Sequence, residues 1–231
     1  MTTTLITGAN KGLGREAARR LLADGHDVCI AARDPEKGRE AAGALGARFV
    51  ALDVTDDASV TAAADRVAAQ SGALDVLINN AGISGGLLRP EATTPDDVAR
   101  VLKTNVVGIV RVTKAFLPLL ERAESPVIVN VSSGMGSLAV TTHPERLESG
   151  LVGFAYSPSK AAVNMLTTQQ AKAFPGIRVN AVDPGYTGTD FNDNRGHQTV
   201  EEGTDAIIAM AKIGPDGPTG TFTDRNGPVP W

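Results

Sequence analysis

Tyr156 and Lys160 stand four residues apart in AYSPSKAAVNML, and the pair Ser132-Ser133 ends the apolar run VIVNV upstream. On a helix, that spacing puts both side chains on one face. A phenol has a free pKa of about 10 and is a poor acid or base near neutrality. An adjacent ammonium stabilises its anion and draws that value toward the working range. The tyrosine–lysine pair alone is weak, because the two residues often fall at this spacing on exposed faces.

A second constellation opens the chain. Thr7–Gly14 reads TGANKGLG, between an apolar run and the helical pattern REAARRLLA. Gly8, Gly12 and Gly14 let the backbone turn tightly and approach a pyrophosphate, with Asn10, Lys11 and Leu13 between them. The helix start behind the turn offers free N–H groups and a positive dipole end. The glycine spacing differs from the common dinucleotide fingerprint, so its weight comes from the strand before and the helix after. The end of the second strand bears on which dinucleotide. Ala32 occupies the place where an acid would hold a ribose 2′-hydroxyl, and Arg33 follows. Arg33 and Lys11 are two cations that favour a 2′-phosphate, hence NADP(H) over NAD(H). Asp34, one position late, is the counter-argument. Without a nucleotide, both cations read as solvated surface charges.

The elements that must carry these groups alternate along the chain. Apolar runs at Thr3–Thr7, Asp27–Ala32, Arg48–Leu52, Val76–Asn79, Val127–Val131 and Arg178–Val182 read as strands, with a weaker one at Thr219–Thr223. Leu13–Ala23, Pro35–Ala44, Asp57–Ala69, Pro95–Leu120 and Tyr156–Ala173 read as helices, with Pro118 expected to kink or end the fourth. Near-continuous apolar strands belong to a parallel sheet covered on both faces. Repeated βα units predict an α/β fold, one doubly wound parallel sheet with helices on both faces, built as one domain over residues 1–231. The polar segment Tyr186–Gly203 reads as a mobile loop or lid.

With these pieces in place, the chain resembles the short-chain dehydrogenase/reductase superfamily over essentially its whole length. TGANKGLG, LDV at Leu52–Val54, NNAG at Asn79–Gly82, Asn105 in KTNVVG, VNVSS ending at Ser133, YSPSK at Tyr156–Lys160 and VDPGYTGT at Val182–Thr189 stand in the family's order. The C-terminal run GPDGPTGTFTDRNGPVPW is similar to the carbonyl-reductase-like branch, which is usually NADPH-dependent. The resemblance implies a Rossmann-type domain with catalytic Asn105, Ser133, Tyr156 and Lys160. It implies that Asp53, next to Val54, meets the adenine, and that Asn80-Ala81-Gly82 lies beside the adenosine ribose. Lys160 also binds the nicotinamide ribose, and Asn105 kinks its helix and holds a water. Pro184-Gly185, the Thr187 backbone and the Thr189 hydroxyl surround the nicotinamide. Taken singly, each of these residues also has a plain reading as a cap, a turn or a satisfied core amide.

Ser133 and Tyr156 are 23 residues apart, a longer interval than the family commonly has. The insert, about residues 138–152, puts the family's usual tetramer in doubt and makes a monomer or homodimer the expected state. Ile83, Leu87, Leu138, Val140, Tyr186 and Phe191 are the expected pocket walls. The net charge of −4 gives no sign of a nucleic-acid or anionic-membrane surface. The three histidines have no metal spacing, so no metal is expected. Cys29 allows no internal disulfide, and the chain enters structure at once, so the expected location is the cytoplasm. The implied activity is NADPH-dependent reduction of an aldehyde or ketone. Reduction of 3-oxoacyl or hydroxysteroid compounds, a sugar-nucleotide epimerase and a catalytically silent NADP-binding sensor stay open.

Overall fold

In the computed structural model, which describes residues 1–86 and 90–231, short strands with two apolar faces assemble into one sheet. They are β1 (Thr3–Thr7), β2 (Asp27–Ala32), β3 (Arg48–Ala51), β4 (Val76–Asn79), β5 (Val127–Val131), β6 (Arg178–Val182), β7 (Phe222–Asp224) and β8 (Gly227–Pro228). The spatial order is β3-β2-β1-β4-β5-β6-β7-β8, parallel through β7 with β8 antiparallel. Alternate side chains point to opposite faces, and both faces are buried. Leu5, Leu77, Ile128 and Val179 join a core with Val60, Val112 and Phe116. Ile6, Ile30, Ile78 and Val129 join another with Ala17, Leu21 and Ile207.

The helices are α1 (Gly12–Ala23), α2 (Pro35–Leu45), α3 (Asp57–Ser71), α4 (Pro95–Leu102), α5 (Gly108–Leu120), α6 (Leu138–Thr141), α7 (Tyr156–Ala173) and α8 (Val200–Ala211). Strand order reverses between β1 and β4, which opens a crevice at the carboxyl ends of the strands.

The expected helix over Pro95–Leu120 is two helices joined by a π-helical segment at Lys103–Val107. Pro118 does not cause the break; it stays inside α5, which ends at Leu120. The last parallel strand starts three residues later than the sequence suggests. Helix α8 takes the end of the expected lid. Thr199 caps it, exchanging hydrogen bonds with Glu202. Gly203, read as loop, is instead a helical contact point: a Cβ there would strike Thr187 and Leu13.

Cys29 lies fully buried in β2, and burial pushes its thiol up to about 11. No helix among the described residues is long and apolar enough to cross a membrane.

Candidate active site

The glycine turn takes its shape from two left-handed glycines, Gly8 at φ +65 and Gly12 at φ +55. It is braced from β4. The Thr7 hydroxyl accepts the N–H groups of Asn80 and Ala81, both at 3.0 Å. The Asn80 amide donates to the carbonyls of Thr7 and Gly8 at 2.9 and 3.2 Å. A Cβ on Gly14 would lie 2.5 Å from the Asn80 amide nitrogen and 2.9 Å from Ala9 Cα. Lys11 precedes α1 without a side-chain cap, so the first N–H groups of the helix face the crevice unsatisfied by a cap. This cradle of glycine backbone and bare helix N-terminus fits a pyrophosphate.

At the adenine end, Asp53 accepts hydrogen bonds from the Thr55 N–H and hydroxyl, both 2.8 Å. Partial burial opposes its ionisation. Those bonds and the charges of Arg33 and Lys103 outweigh burial and hold the carboxyl below its usual range. Val54 turns into the protein, its side chain against Gly108 and its carbonyl accepting from Arg111 at 2.6 Å. Asp34 is spent on capping α2, accepting the N–H groups of Glu36 and Lys37 at 3.0 and 3.2 Å. Arg33 beside it is exposed.

Helix α7 brings Tyr156 and Lys160 to the carboxyl end of β5. The Lys160 ammonium is buried, donates to the Val131 carbonyl at 2.8 Å and sits 5.5 Å from the centre of the Tyr156 ring. Ser133 stands close enough to the Tyr156 hydroxyl to favour its ionised form. Burial pushes Lys160 down to about 8, while Asp183 pulls it back up. The phenol moves up, not down as the tyrosine–lysine spacing suggests. Burial is the largest cause; Ser133 opposes it and Asp183 adds to it. The phenol is therefore held in its protonated, proton-donating form.

Asn105 sits in the π segment, where its side chain is fully used. Its oxygen accepts the Ile83 N–H at 2.8 Å. Its nitrogen donates to the Ile83 carbonyl at 2.9 Å and to the Ser159 hydroxyl at 3.0 Å. A single amide thus ties the end of β4 to α7. Gly82 lies in this junction, its Cβ direction 3.4 Å from the Asn105 oxygen and 3.8 Å from the Lys160 ammonium.

Residues 2–200 match the family model for short chain dehydrogenase. The chain belongs to the short-chain dehydrogenase family. A (+)-neomenthol dehydrogenase of Arabidopsis thaliana is 34% identical, over 96% of this chain and 95% of that protein. A salutaridine reductase of Papaver bracteatum is 31% identical, over 97% and 94%. Among solved structures, an NADPH-bound carbonyl reductase from chicken fatty liver has a TM-score of 0.89 at 30% identity, covering 100% of this chain and 99% of that one. These relatives place this short-chain dehydrogenase in the carbonyl-reductase-like branch, among oxidoreductases that act on CH–OH and C=O groups. The neomenthol dehydrogenase alignment runs over 281 positions where this chain has 231 residues, so at least 50 of them are gaps in this chain.

The segment after β6 covers the dehydrogenase site from the far side. Pro184 is buried and Gly185 adopts φ +71. The Thr187 N–H donates to the Gly185 carbonyl at 3.0 Å, and the Thr187 carbonyl accepts from Asn192 at 2.9 Å. The Thr189 hydroxyl accepts the Phe191 N–H at 3.3 Å, and its methyl lies 3.7 Å from where a Cβ on Gly12 would be. Lys11 reaches across to Asp190 at 3.1 Å, a contact between two exposed side chains. Phe191 packs on Tyr156, ring centres 5.7 Å apart. One segment therefore touches both the glycine turn and the phenol.

Of the expected pocket walls, Phe191 is beside Tyr156, while Tyr186 and Leu138 are exposed. Val140 is not a wall: it is buried with Ala181, Phe222 and Val229 in a small core of its own. Leu87 lies outside the described residues. Sequence reasoning missed Asp183, a buried carboxylate at the end of β6, and Glu148 of the insert, which meets it over Gly134. The only sequence signal was an acid between an apolar strand and Pro184-Gly185.

Proposed function

We propose that the protein is an NADPH-dependent carbonyl reductase, converting an aldehyde or ketone to an alcohol within one Rossmann-type domain. The observation that carries this reading is the cluster at the end of β5. There a protonated phenol has Ser133 beside it and the Lys160 ammonium 5.5 Å from its ring. Bound NADPH would supply the hydride. Tyr156 donates the proton to the developing alkoxide, and Ser133 gives that oxygen a second hydrogen bond. Lys160 keeps positive charge beside the phenol and binds the nicotinamide ribose. The Asn105 side chain is committed to Ile83 and Ser159, which leaves only its main chain, in the π segment, to hold a proton-supplying water.

Two observations favour NADPH over NADH. Asp34 commits one carboxylate oxygen to capping α2 and has the Lys37 ammonium 3.8 Å from the other, which counts against its holding a 2′-hydroxyl. Arg33 stays exposed at the adenine end, its charge within range of Asp53. The Asp53 carboxyl and the Asn80-Ala81-Gly82 backbone would then flank the adenosine. Pro184, Gly185, Thr187 and Thr189 would line the nicotinamide. A cytoplasmic monomer or homodimer is the form in which we expect it to act.

The test is loss of NADPH absorbance against aldehydes, ketones, diketones and acyl-thioester ketones, with Tyr156→Phe alongside. Turnover should fall by between about a hundred- and ten-thousandfold in the variant, with cofactor binding nearly intact. Normal turnover in Tyr156→Phe would sink the mechanism. Tight NADPH binding without turnover on any compound would favour the silent sensor.

A further inference from the structure

Lys160 carries its charge in a buried place, and its hydrogen bond to Val131 is to a neutral carbonyl. Burying an ammonium without a compensating negative charge is costly. Among the described residues no ion pair reaches it. The sheet register shows what stands nearby. Val131 pairs with Val182, and Asp183 follows Val182 at the same carboxyl edge where Lys160 meets Val131. Asp183 is itself only 5% exposed. Its carboxylate is fixed by backbone, accepting the Gly185 N–H at 2.9 Å and the Gly134 N–H. Backbone N–H donors of this kind stabilise the ionised form.

We propose that Asp183 is a positioning residue of the reductase, the fixed counter-charge that keeps Lys160 an ammonium inside the protein. The inference rests on the reading of Tyr156 and Lys160 as the proton-donating pair. It adds a third charged group at the ends of β5 and β6, acting through its field rather than by contact. Other charged groups bear on Asp183. Glu148 of the insert comes as close to the Cβ direction of Gly134 as Asp183 does, 2.9 Å each. It is drawn off by Arg146 at 3.5 Å. Asp224 of β7 is a further like charge, and Tyr156 lies on the same side as Lys160. Burial, Glu148 and Asp224 all push Asp183 toward its neutral form, while the two N–H donors resist. A Cβ at position 134 would collide with both carboxylates, so the glycine is what lets the insert's acid approach the strand's.

The test reads Lys160 directly, without turnover. In protein labelled with 13C at lysine, the side-chain signal that Lys160→Arg removes is followed with pH. It should titrate near 8, apart from the exposed lysines. Asp183→Asn keeps an oxygen for the Gly185 N–H but removes the charge, and should lower that midpoint by about one unit. Asp183→Glu should restore it. Glu148→Gln removes a like charge beside Asp183, so the midpoint should hold or rise. In parallel, the alkaline limb of the reduction profile should move down in Asp183→Asn. An unchanged Lys160 midpoint in folded Asp183→Asn means that Asp183 is already neutral, and overturns the inference. A fall in Glu148→Gln equal to that in Asp183→Asn assigns the counter-charge elsewhere and also overturns it. A shifted midpoint with an unmoved rate profile supports the counter-charge and counts against the reductase reading. Should Asp183→Asn not fold, Asp183→Ser, whose hydroxyl can accept the same N–H, carries the test.

Discussion

The glycine turn and the segment Tyr186–Gly203 face each other across the crevice, and they are built on opposite plans. The turn is held from below, by Thr7 at the buried end of β1 and Asn80 just past β4, and Gly8 and Gly14 leave no room for a side chain. The facing segment is held mostly by its own turns. Its middle reaches the rest through an exposed pair, Lys11–Asp190, the Thr189 methyl beside Gly12 and the Phe191 ring on Tyr156, while its end, the start of α8, is tied down by Arg20 and Arg225. An exposed pair of this kind contributes about 0–1 kcal/mol. On the proposed reading the glycine turn is a rigid mould for the cofactor, while the middle of the facing segment, past Thr187 and Thr189, is a cover over the substrate held by weak contacts. A family that keeps one hydride chemistry and varies its substrates has reason to be built this way.

The contrast can be broken in order of effect. Gly14→Ala should act on the mould. Its methyl would meet Asn80 and Ala9 at 2.5 and 2.9 Å, so NADPH affinity, read by cofactor fluorescence, should collapse and stability fall by about 1–3 kcal/mol. An alanine variant that binds NADPH normally would show the turn to be softer than its contacts imply. The next effect is on proton supply. Burial holds Lys160 at about 8, so it is charged below that pH and neutral above. Reduction, measured as kcat/KM, should be flat on the acid side and fall about tenfold per unit on the alkaline side. A profile flat to pH 10 would contradict it. Arg33→Ala should raise KM for NADPH about tenfold, one charged hydrogen bond's worth, and leave KM for NADH unchanged. Equal changes for both would remove the 2′-phosphate role. The smallest effect belongs to the cover: Phe191→Ala should alter substrate KM by a few-fold with cofactor affinity unchanged. A loss of NADPH affinity there would mean that cover and mould are coupled.

What the sequence revealed follows the range of the interactions. The βα alternation, the glycine turn and the Tyr156–Lys160 face are short-range patterns, and strand and helix limits fell within a few residues for most of them. Arg33 and Asp34 were legible as rivals, but only the N–H groups of Glu36 and Lys37 settle what Asp34 does. The π segment was foreseen only as a kink, because nothing in KTNVVG shows that Asn105 will bind the backbone of Ile83. Asp183 and Glu148 are 35 residues apart and meet through strand pairing over Gly134, a contact no local pattern encodes. Helix α8 was hidden by Gly203, a poor helix former kept for its closeness to Thr187. The phenol's upward shift was missed because spacing reveals the ammonium but not the burial.

The lone thiol has a practical consequence. Cys29 is sealed in the middle of the sheet and held as the unreactive thiol. An alkylating reagent can reach it only when β2 parts from its neighbours, so the rate of its modification reports sheet opening, with no label added to the protein.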